Sequence, residues 1–161
     1  MGQIGVVGSA DASPEAYEAA RVVGSLIAEN LKTLVFGGLS GVMEAACKGA
    51  KERNGLTVGI IPDIGNGNQF LDVVIRTGQG HGRNVLVVTS ADAVIAIGGG
   101  YGTLSEIAIA LRIQRPVFGM NTRDIPGVKQ CETPEEAVIR AMSAAHQFPL
   151  YRNPRAGPVS P

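Results

Sequence analysis

Short aliphatic runs rich in β-branched residues alternate along this chain with stretches whose apolar residues recur at helical spacing. The runs "QIGVVG" (3–8), "TLVFGG" (33–38), "LTVGIIP" (56–62), "AVIAIG" (93–98) and "PVFGM" (116–120) are apolar at nearly every position. Strands of that kind need cover on both faces, which a water-exposed antiparallel sheet cannot give them. The intervening helices can. The alternation therefore predicts an α/β fold with three layers, a doubly wound and mainly parallel Rossmann-like sheet between two sets of helices. At 161 residues and 45% hydrophobic content, the chain suffices for a single domain of this type.

Capping residues set the expected helix limits. Ser13 as N-cap, Pro14 at the first helical position and Glu15 in the first turn open a helix over 13–31. A second helix (41–55) stops at the Asn54-Gly55 pair. "DIGNGNQF" (63–70) reads as a turn region, and "DVVIRTG" (72–78) as a fourth strand. "GRNVLVVTSA" (82–91) is read as a helix despite valines that locally favour strand. A helix follows over 103–114, then an edge strand in "GVKQCE" (127–132) and a closing helix over 133–147, with Thr133 as N-cap and Pro134 behind it. The domain is thus expected over 1–147, and the Pro-rich tail 148–161 is read as extended, disordered, or an arm on a neighbouring subunit.

Composition argues against several classes. Lys+Arg and Asp+Glu both number 14, so no global field draws the chain to nucleic acid or a membrane, and neither partner is expected. Cys47, Cys131, His81 and His146 show no ligand spacing, so neither a disulfide framework nor a metal site is predicted. "MGQIGVVGSADAS" has no basic region ahead of its short apolar run, which points to a cytoplasmic protein.

In open α/β sheets ligands sit beyond the C-terminal strand ends, near the reversal of strand order. Three clusters follow strand ends: "GSADAS", "GGLSGVME" and "GGGYGTLSE"; a fourth, "RTGQGHGRN", opens a helix. In the second cluster, Gly38 and Gly41 serve either a tight turn or a ligand. The third is richer than one turn requires, with four glycines among residues 98–102. Gly99, Gly100, Tyr101, Gly102 and Thr103 at a helix start would offer an anion a row of unobstructed N–H groups. The pattern is neither GxGxxG nor GK[ST], so ordinary dinucleotide and P-loop fingerprints are absent. Ser9, Ser40 and Asn84 suit ligand hydroxyls and turn or capping roles equally well.

Glu106 also has two readings. Thr103-Leu104-Ser105-Glu106 fits a capping box, a structural device. A carboxylate in the first turn of a phosphate-holding helix can instead stabilise a developing oxocarbenium ion or activate water. Arg83 opens a helix, where the dipole disfavours a cation, so it is expected to answer Glu106 or an external anion. Arg76, at a strand end, is a second candidate cation.

"GGLSGVME", "GRN" and "GGGYGTLSE" together resemble the signature regions of the Lonely Guy (LOG) superfamily, whose hallmark is PGGxGTxxE and whose members are often mislabelled lysine decarboxylases. The similarity runs from residue 3 to about 146 and looks closest to the branch containing molybdenum cofactor carrier proteins. The LOG enzymes split a nucleoside 5'-monophosphate into base and ribose 5-phosphate. The resemblance implies that Gly99, Gly100, Gly102 and Thr103 match their phosphate-holding positions, and that Glu106 and Arg83 match their catalytic pair. Two departures bear on hydrolysis: Gly98 replaces the motif proline, and Asn84 stands where the enzymes carry a lysine. Decarboxylation would need a Schiff-base lysine, and none of Lys32, Lys48, Lys51 and Lys129 lies near the glycine loop in sequence.

Two functions remain. One is a carrier that holds a phosphorylated small molecule, an AMP-like nucleotide or the molybdenum cofactor, with no tightly required cofactor of its own. The other is a phosphoribohydrolase. Doubly wound domains of this size commonly pair and the resemblance implies the same, so a homodimer or higher homo-oligomer is expected, with "IAIALRIQ" facing a second subunit.

Overall fold

The computed structural model describes residues 2–147, so the tail 148–161 lies outside the described residues. Among them, strands β1 (Gln3–Gly8), β2 (Thr33–Phe36), β3 (Thr57–Ile61), β4 (Val73–Arg76), β5 (Ala93–Ile97), β6 (Val117–Met120) and β7 (Val128–Gln130) form one sheet in the order β4-β3-β2-β1-β5-β6-β7. Every neighbouring pair is parallel. The central strands β1, β2 and β5 are buried along almost their whole length, as their continuous apolar runs require.

Alternate residues of each strand serve opposite layers. Ile4, Val6, Leu34, Phe36, Ile95 and Ile97 pack with α1 (Pro14–Glu29), α2 (Val42–Lys51) and α5 (Pro134–Gln147). Val7, Val35, Val94 and Ala96 face α3 (Asn84–Ser90) and α4 (Tyr101–Arg112). The Ser13 hydroxyl accepts from the Ala16 N–H at 3.2 Å and the Thr133 hydroxyl from the Glu136 N–H at 3.2 Å, so both caps stand where the sequence puts them. The valine-rich segment is helical because Val87 and Val88 are buried against the sheet, where packing outweighs local strand preference.

Two details depart from expectation. A 3-10 turn (Gly80–Arg83) precedes α3, so Arg83 ends that turn and stands just ahead of the helix. Helix α4 begins at Tyr101, two residues before the predicted start, with Gly100 as an N-cap that has no side-chain bond. The capping box does not form: Thr103 is already inside the first turn and Glu106 lies in the second. Glycine at 100 and 102 lets the chain turn helical early, before any side chain is available to cap it.

Candidate functional site

Strand order reverses at β1, whose neighbours β2 and β5 lead outward in opposite directions. The C-terminal ends of β1 and β5 border a cleft of about 240 Å³ whose wall includes Ser9, Arg83, Asn84, Gly102, Thr103 and Glu106. This is the crevice where ligands of open α/β sheets are held.

The α4 side of the cleft is built from glycine. Gly98 (φ +54) and Gly99 (φ +114) turn the chain out of β5. The first helical donor bond of α4 runs from the Leu104 N–H to the Gly100 carbonyl at 3.0 Å, so the N–H groups of Tyr101, Gly102 and Thr103 lie ahead of the ladder. A β-carbon added at Gly100 or Gly102 would meet nothing within 4 Å. At neither position does φ lie in the left-handed region. Packing therefore gives no reason for glycine there, and a glycine near a helix start costs stability relative to alanine. The Thr103 side chain is buried beneath the loop, against Gly99. Tyr101 points away from the cleft, 81% exposed, with the Arg123 guanidinium 5.6 Å from its ring centre.

Beside this helix start sits a buried charge pair, Glu106 from α4 itself and Arg83 from the end of the 3-10 turn. Arg83 is 6% and Glu106 5% exposed, and their charged groups lie 3.8 Å apart. Burial pushes the Glu106 carboxyl up to about 7, against the downward pull of Arg83. Burial likewise lowers Arg83 from its ordinary value, while Glu106 acts to raise it. Arg83 is held from outside the pair: Nη1 donates to Asn84 Oδ1, and Nη2 to the Gly37 carbonyl at 3.3 Å. Among the described residues its buried Nε has no hydrogen-bond partner. Asn84 Nδ2 donates to Ser105 Oγ at 2.9 Å, and Ser105 Oγ to the Gly102 carbonyl at 2.7 Å. A continuous strut thus joins Arg83 to the glycine-rich start of α4.

The other sequence candidates separate by place. Ser9 lines the cleft, and its hydroxyl accepts from the Asp11 N–H at 3.1 Å. Ser40 donates to the Ala10 carbonyl at 3.1 Å and lines a neighbouring, open cleft with Glu44 and Asp63. Gly38 (φ +73) and Gly41 (φ +65) border neither cleft and are fixed by close packing of their turn, Gly38 against Ile61 and Gly59 and Gly41 against the Ser9 and Ala10 carbonyls. Arg76 lies apart from the site, donating to the Gly65 carbonyl at 2.7 Å and to Asn66 Oδ1 at 2.8 Å. Besides the lining residues Gly8, Ala10, Leu39 and Met43, two polar residues of the site were not among the sequence candidates: His81, which lines the cleft, and Ser105, hidden inside the apparent capping box. His81 sits in "GHGRN" beside Arg83, and that adjacency was its signal. Among the described residues no three His, Cys, Asp or Glu side chains gather as a metal cluster would, and no helix is long and apolar enough to cross a membrane.

The model of the SLOG cluster4 family matches residues 1–148. The chain belongs to that family. It is 49% identical over 147 residues to an uncharacterised protein of Archaeoglobus fulgidus, covering 89% of this chain and 96% of the relative. Among solved structures, the molybdenum cofactor binding protein of Rippkaea orientalis is similar at 38% identity and a TM-score of 0.83, with 88% of this chain and 96% of that one covered. The molybdenum cofactor carrier protein of Chlamydomonas reinhardtii is similar at 32% identity and a TM-score of 0.82, covering 92% and 100%. The branch to which the motifs point is also the branch in which these structures lie.

Proposed function

We propose that this SLOG cluster4 protein is a carrier that holds a phosphorylated small molecule, an AMP-like nucleotide or the molybdenum cofactor, with its phosphate on the start of α4. The observation that carries the reading is the open space at Gly100 and Gly102. Two glycines that packing does not require stand over three helix N–H groups, with the Arg83 cation facing them across the cleft. The similarity to the molybdenum cofactor proteins of Rippkaea orientalis and Chlamydomonas reinhardtii supports the molybdenum cofactor as cargo. Gly99 and Thr103 shape the loop in this reading, and Ser9 and Asn84 meet the ligand's polar groups. Two copies of the chain pair through α3 and α4, where Val85, Leu86 and Ile113 are exposed.

The phosphoribohydrolase reading also has an observation in its favour, since Glu106 and Arg83 line the same cleft. Against it, Asn84 replaces the enzymes' lysine and is occupied in bracing Arg83. One set of assays separates the two. AMP and other nucleoside 5'-monophosphates should bind the wild type, Gly102→Val should lose at least a hundredfold in affinity while remaining folded, and no free base should appear. Base released by wild type and not by Glu106→Gln would make the protein a hydrolase. Wild-type affinity in Gly102→Val would remove the phosphate from the glycine loop.

A further inference from the structure

Glu106 poses a problem for any anion in this cleft. It lies four residues beyond Gly102, on the same face of α4, so a phosphate on the helix start would sit beside a nearly buried carboxylate. Among the described residues Glu106 makes no hydrogen bond; its one close partner is Arg83, at 3.8 Å, beyond hydrogen-bond reach. Among the described residues Arg83 is therefore the one cation that holds its negative charge. Arg83 is also the cation that an incoming phosphate would engage, and it is nine-tenths buried with an unpartnered Nε. Ligand and carboxylate must compete for it.

We propose that loading replaces the Arg83–Glu106 pair by an Arg83–phosphate contact, and that Glu106 enters the loaded site as a neutral carboxylic acid donating its O–H to a phosphate oxygen. One proton moves from solvent to a Glu106 carboxylate oxygen as the ligand binds and returns to solvent on release; no bond of the ligand is made or broken. Glu106 then acts as a selectivity residue for an unesterified phosphate oxygen that can accept its proton. The inference rests on the phosphate-carrier reading and deepens it.

The surroundings leave few other protein groups that could take up that proton. α3, β1, β5 and β6 pack against α4 and carry no titratable side chain. From the 3-10 turn come Arg83 and His81. Asp11 is exposed beside the Ser9 turn, Glu44 lines the neighbouring cleft, and Tyr101 and Arg123 lie on the outer side of the helix start. Burial already holds the Glu106 carboxyl near 7 in the free protein, so little further change is needed to protonate it.

The test is calorimetric titration of the full chain with AMP at pH 6, 7 and 8, in paired buffers of different ionisation enthalpy, for the wild type, Glu106→Gln and His81→Asn. Free AMP titrates identically in all three, so differences in proton uptake report the bound site, and the carbon-13 signal of the Glu106 carboxyl in the loaded wild type shows whether the proton sits on Glu106. At pH 8 the wild type should take up close to one proton more than Glu106→Gln, and above pH 7 its affinity should fall about tenfold per pH unit relative to that variant. Gln retains a donor and should bind AMP at every pH; His81→Asn, whatever its affinity, should keep the extra proton of the wild type at pH 8. Equal proton counts in wild type and Glu106→Gln would overturn the inference, as would loss of AMP by Glu106→Gln at all three pH values, or disappearance of the extra proton in His81→Asn. No binding of AMP by the wild type would instead sink the phosphate-carrier reading itself. Should Glu106→Gln fail to fold, the carbon-13 signal of the Glu106 carboxyl in the wild type at pH 8 decides: it should move to the protonated position on loading, and an unmoved signal refutes the proposal.

Discussion

Two glycine-rich turns follow parallel strands of this sheet, and their glycines answer to opposite needs. After β2, Gly38 and Gly41 have positive φ, and a β-carbon at Gly41 would fall 2.3 Å from the Ser9 carbonyl oxygen. The chain there is packed against itself. After β5, added β-carbons at Gly100 and Gly102 would meet only open space. That turn is cleared for something outside the chain. A glycine's purpose thus lies in what surrounds it, and a substitution at each turn should fail in a different assay.

The largest effect is expected at the packed turn. Gly41→Val combines a left-handed backbone with a collision against main chain, and should cost about 4 kcal/mol in urea unfolding. A loss below about 1 kcal/mol would show that the turn can open, and would end the contrast. Next comes the polar interior of the cleared turn. Burial holds the Glu106 carboxyl near 7 in the folded chain, above the ordinary 4.5. A raised carboxyl contributes its full stability below pH 4.5 and loses it as pH rises through about 7, a change on the order of 3 kcal/mol. Glu106→Gln should match the wild type near pH 5 and exceed it at pH 8. Parallel stability profiles for the two proteins would mean that the carboxyl is solvated and titrates normally.

The third effect separates stability from binding at one residue. Gly102→Ala should raise stability by about 0.5 kcal/mol, since it removes a flexible residue from a helix and its methyl displaces no neighbour, and should weaken AMP binding about tenfold. A destabilised Gly102→Ala would show that the glycine serves the fold after all.

The layered sheet was legible because its signals are local: runs apolar on both faces, and caps at Ser13 and Thr133. The strand-end position of the cleft followed from topology. The purpose of Gly41 was not legible, because a tight turn and a ligand fit its stretch equally well and the backbone it meets is remote in sequence; Gly102 was already read as part of an anion-binding helix start, from a glycine density beyond what a turn needs. The capping box failed for a related reason: Thr103 and Glu106 have the right spacing, but Gly100 lets α4 start early. Arg83 and Glu106 could be paired from sequence because a cation at a helix start demands an acid or an anion. The bridge from Asn84 to Ser105 could not, since it depends on how the end of the 3-10 turn meets α4.

That bridge yields the smallest effect on binding and the most exacting one, because it ties the two turns together. Arg83 is held through Nη2 by the Gly37 carbonyl of the packed turn and through Nη1 by Asn84, which in turn is braced by Ser105 against the Gly102 carbonyl of the cleared turn. The self-packed turn is thus part of the footing for the cation that faces the open one. Ser105→Ala leaves Asn84 Nδ2 without its acceptor, at a cost of about 1 kcal/mol in stability, and frees Asn84 to drift from Arg83. AMP affinity should fall about threefold to fivefold, and Ser105→Thr, which keeps the hydroxyl, should recover it. Loss of stability with unchanged affinity would mean that the Gly37 carbonyl alone positions Arg83, and would leave the bridge a role in the fold but none in the site.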